Sequence, residues 1–141
     1  MSNATFRATP GYGETLRKAL GYSQAVRVDQ RVETSGQGGW DDDLNIPDSI
    51  EEEIVRAFDN VERTLATCGA TWKDVIHVNS YHKVPQGQDA IGQDHNDVMA
   101  EQFRARLDGR APVWTQTGVT VLGLPTMRIE IRVTAFIDDG R

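Results

Sequence analysis

The stretch 111–137 constrains this chain more than any other. From Met127 to Ile137 every second residue is apolar, so an extended chain places Met127, Ile129, Ile131, Val133, Ala135 and Ile137 on one face. A second β-rich run precedes it, and Gly123-Leu124-Pro125 separates the two. The pair therefore reads as a hairpin with one buried face. The opposite face of the later strand carries Arg128, Glu130, Arg132 and Thr134, a carboxylate between two guanidinium groups at two-residue spacing. Such a row is either a cross-strand ion ladder or the wall of a polar pocket.

The rest of the chain supplies what such a sheet needs. Thr9-Pro10-Gly11-Tyr12-Gly13 is a turn-rich lead, and Glu14 to Leu20 makes about two helical turns that Gly21 stops. Residues 24–35 give two short strands around the Asp29-Gln30 turn. Gly36-Gln37-Gly38-Gly39-Trp40 follows, either a flexible connector or a loop that lets a ligand approach backbone amides. Asp48-Ser49 with Glu51 and Glu52 is an N-cap signal. Ile50, Ile54, Phe58, Val61, Leu65 and Cys68 then recur at helical spacing until Gly69.

Residues 75–84 read as a strand closed by Pro85-Gln86-Gly87, with His77, Asn79 and Tyr81 on one face and His82 on the other. Hydrogen bonding at the surface or in the core is the expected role of each histidine. A second helix begins between Ala90 and His95 and runs to Leu107, with Val98, Met99, Phe103 and Leu107 as its apolar stripe. His95, beside Asn96 and Asp97, is expected to act as a local capping device, with use in a pocket as the alternative. The order is β-β-α-β-α-β-β: an α+β fold in which two helices cover one face of a mixed sheet. Residues 1–20 form an N-terminal extension, and 21–141 a single domain.

Composition narrows the function classes. Fifteen basic and twenty-one acidic residues give a net charge of −6, which disfavours a phosphate backbone as partner. The single cysteine, Cys68, allows no intramolecular disulfide and no cysteine-based zinc cluster, and helix packing is its expected job. Asp41-Asp42-Asp43 lacks the alternation of an EF-hand loop, so no metal is assigned, and no cofactor motif is found. No window approaches the ~20 apolar residues of a membrane span, so a cytoplasmic protein is expected.

Ala111-Pro112 before a β-rich run, the Leu124-Pro125 break and Ile129-Glu130-Ile131 together resemble the C-terminal signature of the Rid family, also called YjgF/YER057c/UK114. Gly21-Tyr22-Ser23-Gln24 is similar to that family's early tyrosine segment, and Thr34-Ser35-Gly36-Gln37 to its Ser-Gly-Gln turn. Asn96 and Glu130 fall in the expected helix and strand. The resemblance implies a chorismate-mutase-like fold, a homotrimer, and pockets between subunits for a small-molecule ligand. It implies that Glu130 and backbone amides help water attack an enamine or imine, releasing ammonia and a keto acid. By the same resemblance Tyr22, Ser35, Gly36, Gln37, Asn96, Trp114 and Gln116 line the substrate site.

Two positions depart from the pattern. Trp114 stands where the family carries the arginine that holds the substrate carboxylate, and Gln116 where it carries a cysteine. An indole offers one donor and a broad apolar face instead of a planar bidentate cation. Trp114 is either a pocket wall or the hydrophobic plug of a strand end. The chain resembles the divergent Rid branches, and three functions compete. They are a hydrolase of the enamine/imine deaminase type with altered substrate preference, a non-catalytic trimer that binds a metabolite or partner protein, and, more remotely, an endoribonuclease.

Overall fold

The computed structural model describes residues 3–138. In chain order the strands and helices are β1 (Thr5–Arg7), α1 (Tyr12–Leu20), β2 (Ala25–Val28), β3 (Arg31–Thr34), β4 (Gln37–Gly38) and α2 (Ile50–Ala66). A single 3-10 turn (Trp72–Asp74) then leads into β5 (Val75–Lys83), α3 (Gln93–Arg106), β6 (Val113–Val119) and β7 (Ile129–Phe136). The strands form one mixed sheet in the order β1-β2-β3-β7-β5-β6, with β4 also paired to β7. The fold is the expected α+β class, and α1 matches the helical turns read in residues 14–20, lying beside the two helices of the β-β-α-β-α-β-β order. Among the described residues no helix is long and apolar enough to cross a membrane.

Local signals hold where they are strongest. Ser49 caps α2, its hydroxyl accepting from the Glu52 amide at 3.2 Å, and three glutamates occupy the first turn where the helix dipole favours them. Gly21 ends α1 in the left-handed conformation, φ 75°. Asp29, at φ 52°, turns β2 into β3 as the predicted hairpin. Residues 5–7 pair with β2, so part of the N-terminal segment belongs to the sheet.

The expected hairpin of the last two strands does not form. β7 pairs antiparallel with β5, while β6 lies parallel to β5 on its far side. α3 makes the crossover that a parallel β5–β6 pair requires. The stretch through Gly123-Leu124-Pro125 is thus a long connection rather than a tight turn. It crosses the sheet end and packs Leu122 and Leu124 against the small cluster of Tyr12, Trp40 and Met127. Alternation alone assigned the strands correctly but carried no information on which neighbour each would take.

Alternate residues of β7, namely Ile129, Ile131, Val133 and Ala135, join Val32 and Val78 beneath the helices. Ile54, Phe58, Val61 and Leu65 of α2 and Met99 and Phe103 of α3 close this core. Each fully buried apolar side chain contributes roughly 1.5–3 kcal/mol. Phe58 stacks on Trp72 with centroids 4.8 Å apart, and the Trp72 indole N–H donates to the Phe58 carbonyl at 3.0 Å. Cys68 lies in this core, as expected.

The other sheet face carries Glu130, Arg132 and Thr134 of β7, the β5 residues His77, Asn79 and Tyr81 aligned with them, and Val113, Thr115 and Thr117 of β6. None of the described helices covers it. Val113 and Phe136 remain 63% and 49% exposed.

Candidate functional site

The Arg128-Glu130-Arg132 row does not pair within itself: only Arg132 joins a cross-strand ion cluster, on Glu33 of β3, and Glu130 takes no part in it. Arg128 turns to Glu53 of α2: its Nε donates to Oε1 at 2.7 Å and its backbone N–H to Oε2 at 2.7 Å. Arg132 donates to Glu33 at 2.8 Å, and Arg31 and Thr134 donate to the same carboxylate. Burial works against the charge on Glu33, but these hydrogen bonds and the two guanidinium charges hold its pKa below the usual value. Both arginines are therefore engaged by other acids, and Glu130 has no ion-pair partner among the described residues.

Glu130 sits in the middle of the sheet, opposite Tyr81 of β5 and Gly38 of β4. Its carboxyl group lies against Gly36, where a β-carbon would fall 2.6 Å from Cδ and 2.7 Å from Cγ. Burial without a compensating cation raises its pKa. A half-buried carboxyl with an elevated pKa can exchange a proton nearer neutrality than an exposed one.

The glycine run proves neither a flexible connector nor an open ligand loop. Gln37–Gly38 pairs with β7, and Gly38 and Gly39 are packed too closely against Trp40 and the Glu53 backbone to admit a side chain. Gln37 itself is fully buried: it accepts from the Tyr12 hydroxyl at 2.6 Å and donates to Gln24 at 2.7 Å. Its side chain fastens α1 to the sheet rather than facing a ligand. Ser35 and Tyr22 line a separate shallow groove with Phe6 and Glu33, and the Ser35 hydroxyl donates to the Ser23 carbonyl at 2.6 Å.

Trp114 and Gln116 are on the opposite face of the sheet from Glu130. They line an open groove of about 750 Å³ against α3 with Asn96, Glu101 and Arg104. The Trp114 ring packs edge-to-face on Phe103 with centroids 5.1 Å apart and stays 36% exposed. It is therefore plug and wall at once. Its indole N–H points inward, donating to Ser80 Oγ at 2.9 Å. Gln116 donates to Asn96 Oδ1 at 2.6 Å.

Beneath this groove lies a chain of side chains that sequence reasoning did not assemble. Ser80 Oγ is 2.7 Å from His82 Nε2, and His82 Nδ1 is 3.0 Å from His95 Nδ1. His95 is not the local capping device expected: α3 is capped by Gly92 without a side-chain bond, and the His95 ring turns inward to His82. Burial lowers the pKa of both rings, that of His82 to about 4, where electrostatic repulsion from the His95 ring adds to the effect. The signal available was the i, i+2 spacing of Ser80 and His82 on the helix-facing side of β5. Nothing local in the sequence placed His95 above them.

Within one chain the candidate residues thus form separate sets: Glu130 with Gly36 on the open face, Tyr22 with Ser35 at the β2–β3 end, and Trp114, Gln116 and Asn96 beside α3. The profile of the endoribonuclease L-PSP family matches residues 13–137. The chain is 33% identical over 118 residues to the RutC family protein YjgH of Escherichia coli K12, covering 84% of each. It is 35% identical over 94 residues to a 2-iminobutanoate/2-iminopropanoate deaminase of Dermatophagoides farinae, covering 65% of this chain and 70% of that one. The solved structure of protein YJGH superposes with a TM-score of 0.78 at 33% identity, over 96% of this chain and 97% of that one. Rv2704 from Mycobacterium tuberculosis, described as a member of the YjgF/YER057c/UK114 family, superposes at 0.74 and 25% identity, over 96% of this chain and all of that one. With sequence profile, relatives and fold in agreement, the chain belongs to the endoribonuclease L-PSP family, known also as the Rid or YjgF/YER057c/UK114 family.

Proposed function

We propose that the protein hydrolyses a small enamine or imine in clefts formed between copies of the chain, with Glu130 as the group that orients water and moves its proton. The observation that carries this reading is the unpaired, half-buried Glu130 carboxyl held over Gly36. Water adds to the imine carbon, giving up a proton as the nitrogen gains one, and the carbinolamine collapses to a carbonyl compound and ammonia. A carboxyl of raised pKa can act as base in the first step and acid in the second. The name of the Dermatophagoides relative supports the reaction class.

The separation of Glu130 from Trp114 and Gln116 supports an interfacial site, since a second copy is what could bring the two faces into one cleft. The uncovered sheet face, with Val113 and Phe136 exposed, supports assembly as a homotrimer. Light scattering should then give three times 15.7 kDa. Ammonia release from freshly generated 2-imino acids and simple enamines, compared between wild type and Glu130→Gln, tests the chemistry. Turnover that survives the substitution overturns it.

One observation favours a second reading, a non-catalytic metabolite-binding trimer. The groove presents Trp114 where the resemblance leads one to expect an arginine, which supports reading this chain as a divergent branch of the family. No turnover by wild type on any imine, combined with saturable binding of a small molecule, would select it. An endoribonuclease finds less support, because the net charge of −6 repels RNA.

A further inference from the structure

We infer that the groove between β6 and α3 takes a flat, uncharged ligand whose edge carries a hydrogen-bond donor next to an acceptor, the pattern of a cyclic amide or ureide. Trp114 forms the aromatic wall of this groove. Its N–H is already bonded to Ser80 and its far edge rests on Phe103, so the groove receives only an apolar ring face. A ring face selects a flat partner, because offset stacking maximises contact.

The polar groups beside it are fixed by their own bonds. One Gln116 N–H goes to Asn96 Oδ1, and Gln116 Nε2 also lies 3.4 Å from His82 Nε2. With Gln116 Nε2 turned to those two acceptors, Gln116 Oε1 and the Asn96 amide N–H groups are left to face a ligand. Reversing both amides, with His82 as donor instead, exchanges the two roles and leaves one donor and one acceptor all the same. The pattern offered to a ligand therefore does not depend on the tautomer of His82.

Charge decides against an anion. Asp97 and Glu101 line the groove with a single guanidinium, Arg104, so carboxylates outnumber cations there. The Asp97 carboxylate accepts from Gln93 at 2.8 Å, which holds it in place on the α3 surface. The proposal uses the groove's position in the reading above but not the chemistry at Glu130, so each can fail alone.

The test is a titration of the assembled protein, followed by ¹⁵N–¹H spectra of its indole and side-chain amide groups. 2-Pyridone presents adjacent N–H and C=O on a flat ring, N-methyl-2-pyridone lacks the donor, and benzoate is a flat anion. Saturable shifts of the Trp114 indole and the Asn96 and Gln116 amides are expected with 2-pyridone. Loss of one hydrogen bond should weaken the N-methyl compound roughly 3–10-fold. Asn96→Ala and, independently, Gln116→Ala should produce a similar loss. Equal binding of the N-methyl compound or of benzoate, or no saturable shift with 2-pyridone, overturns the inference. Pyridone binding without Glu130-dependent ammonia release leaves the groove assignment standing and removes the hydrolytic reading; the reverse result does the opposite.

Discussion

The Glu130 carboxyl group occupies the space over Gly36 that any other residue would fill with its β-carbon. The two positions, 94 residues apart in sequence, are matched because β4 pairs with β7 just beyond Gly36. Gly36→Ala should therefore displace Glu130 rather than unfold the sheet, since the clashing atoms belong to the end of a flexible side chain. Ammonia release should fall at least tenfold while the melting temperature drops by only a few degrees, corresponding to ~1 kcal/mol. A fully active Gly36→Ala protein would show that the position of Glu130 does not matter.

Glu130 also predicts a pH signature. Its folded pKa lies above the ordinary glutamate value, so the ionised form is the one the fold disfavours. The stability penalty is absent below the unfolded value near 4.5, appears as pH rises through it, and is complete above the raised folded value. Glu130→Gln should accordingly raise the melting temperature at pH 7 and leave it nearly unchanged at pH 4. Equal gains at both pH values would assign the effect to packing instead.

How much of this could be read in the sequence differs by element. α2 was legible because its cap, its apolar spacing and its stop at Gly69 all act within one helix. β7 was legible as a strand for the same reason, its two-residue alternation being local. Its partner was not, because nothing in residues 111–137 says that β5 will enter between β6 and β7. The engagement of Arg128 by Glu53 and of Arg132 by Glu33 was hidden likewise, these pairs being 75 and 99 residues apart. Glu130 was found as a candidate through its motif, whereas its want of a cation was visible only once both arginines had turned elsewhere.

The buried histidines predict a second pH effect, of opposite sense. The folded pKa of His82 is about 4 against an ordinary 6.5, so the unfolded chain binds a proton more readily than the native one between those values. Stability should fall as pH drops from 6.5 towards 4, by on the order of 3 kcal/mol if His82 acts alone. His82→Gln, which retains a hydrogen-bonding side chain between Ser80 and His95, should flatten this slope. Denaturant melts at half-unit pH steps measure it, and an unchanged slope would place the titrating group elsewhere.

Glu53 is fully buried and bonded twice to Arg128, while that guanidinium also donates to the Pro47 and Asp48 carbonyls at 3.0 Å. This single acid ties α2 and its entry loop to the start of β7. Glu53→Ala should cost ~2–4 kcal/mol, below the upper range for breaking a buried pair because Arg128 keeps a third of its side chain in solvent. Urea unfolding of the variant checks the figure. A loss under 0.5 kcal/mol would mean that Arg128 finds full compensation in the two carbonyls and water.

Trp114→Arg examines the position where the sequence resemblance leads one to expect an arginine. The substitution removes the bond to Ser80 and the edge-to-face contact with Phe103, so some stability should be lost, ~1–2 kcal/mol. It also places a planar cation beside Gln116 and Asn96, able to hold a carboxylate through two parallel hydrogen bonds. Hydrolysis of 2-imino acids should increase relative to that of uncharged imines, and the change should appear chiefly in KM, because carboxylate binding is made in ground and transition states alike. Trp114→Ala separates the new charge from the mere loss of bulk, since it opens the groove without adding a cation. Strong wild-type activity on 2-imino acids that persists in Trp114→Ala would show that a different group, Arg104 of the same groove being the nearest candidate, already holds the carboxylate.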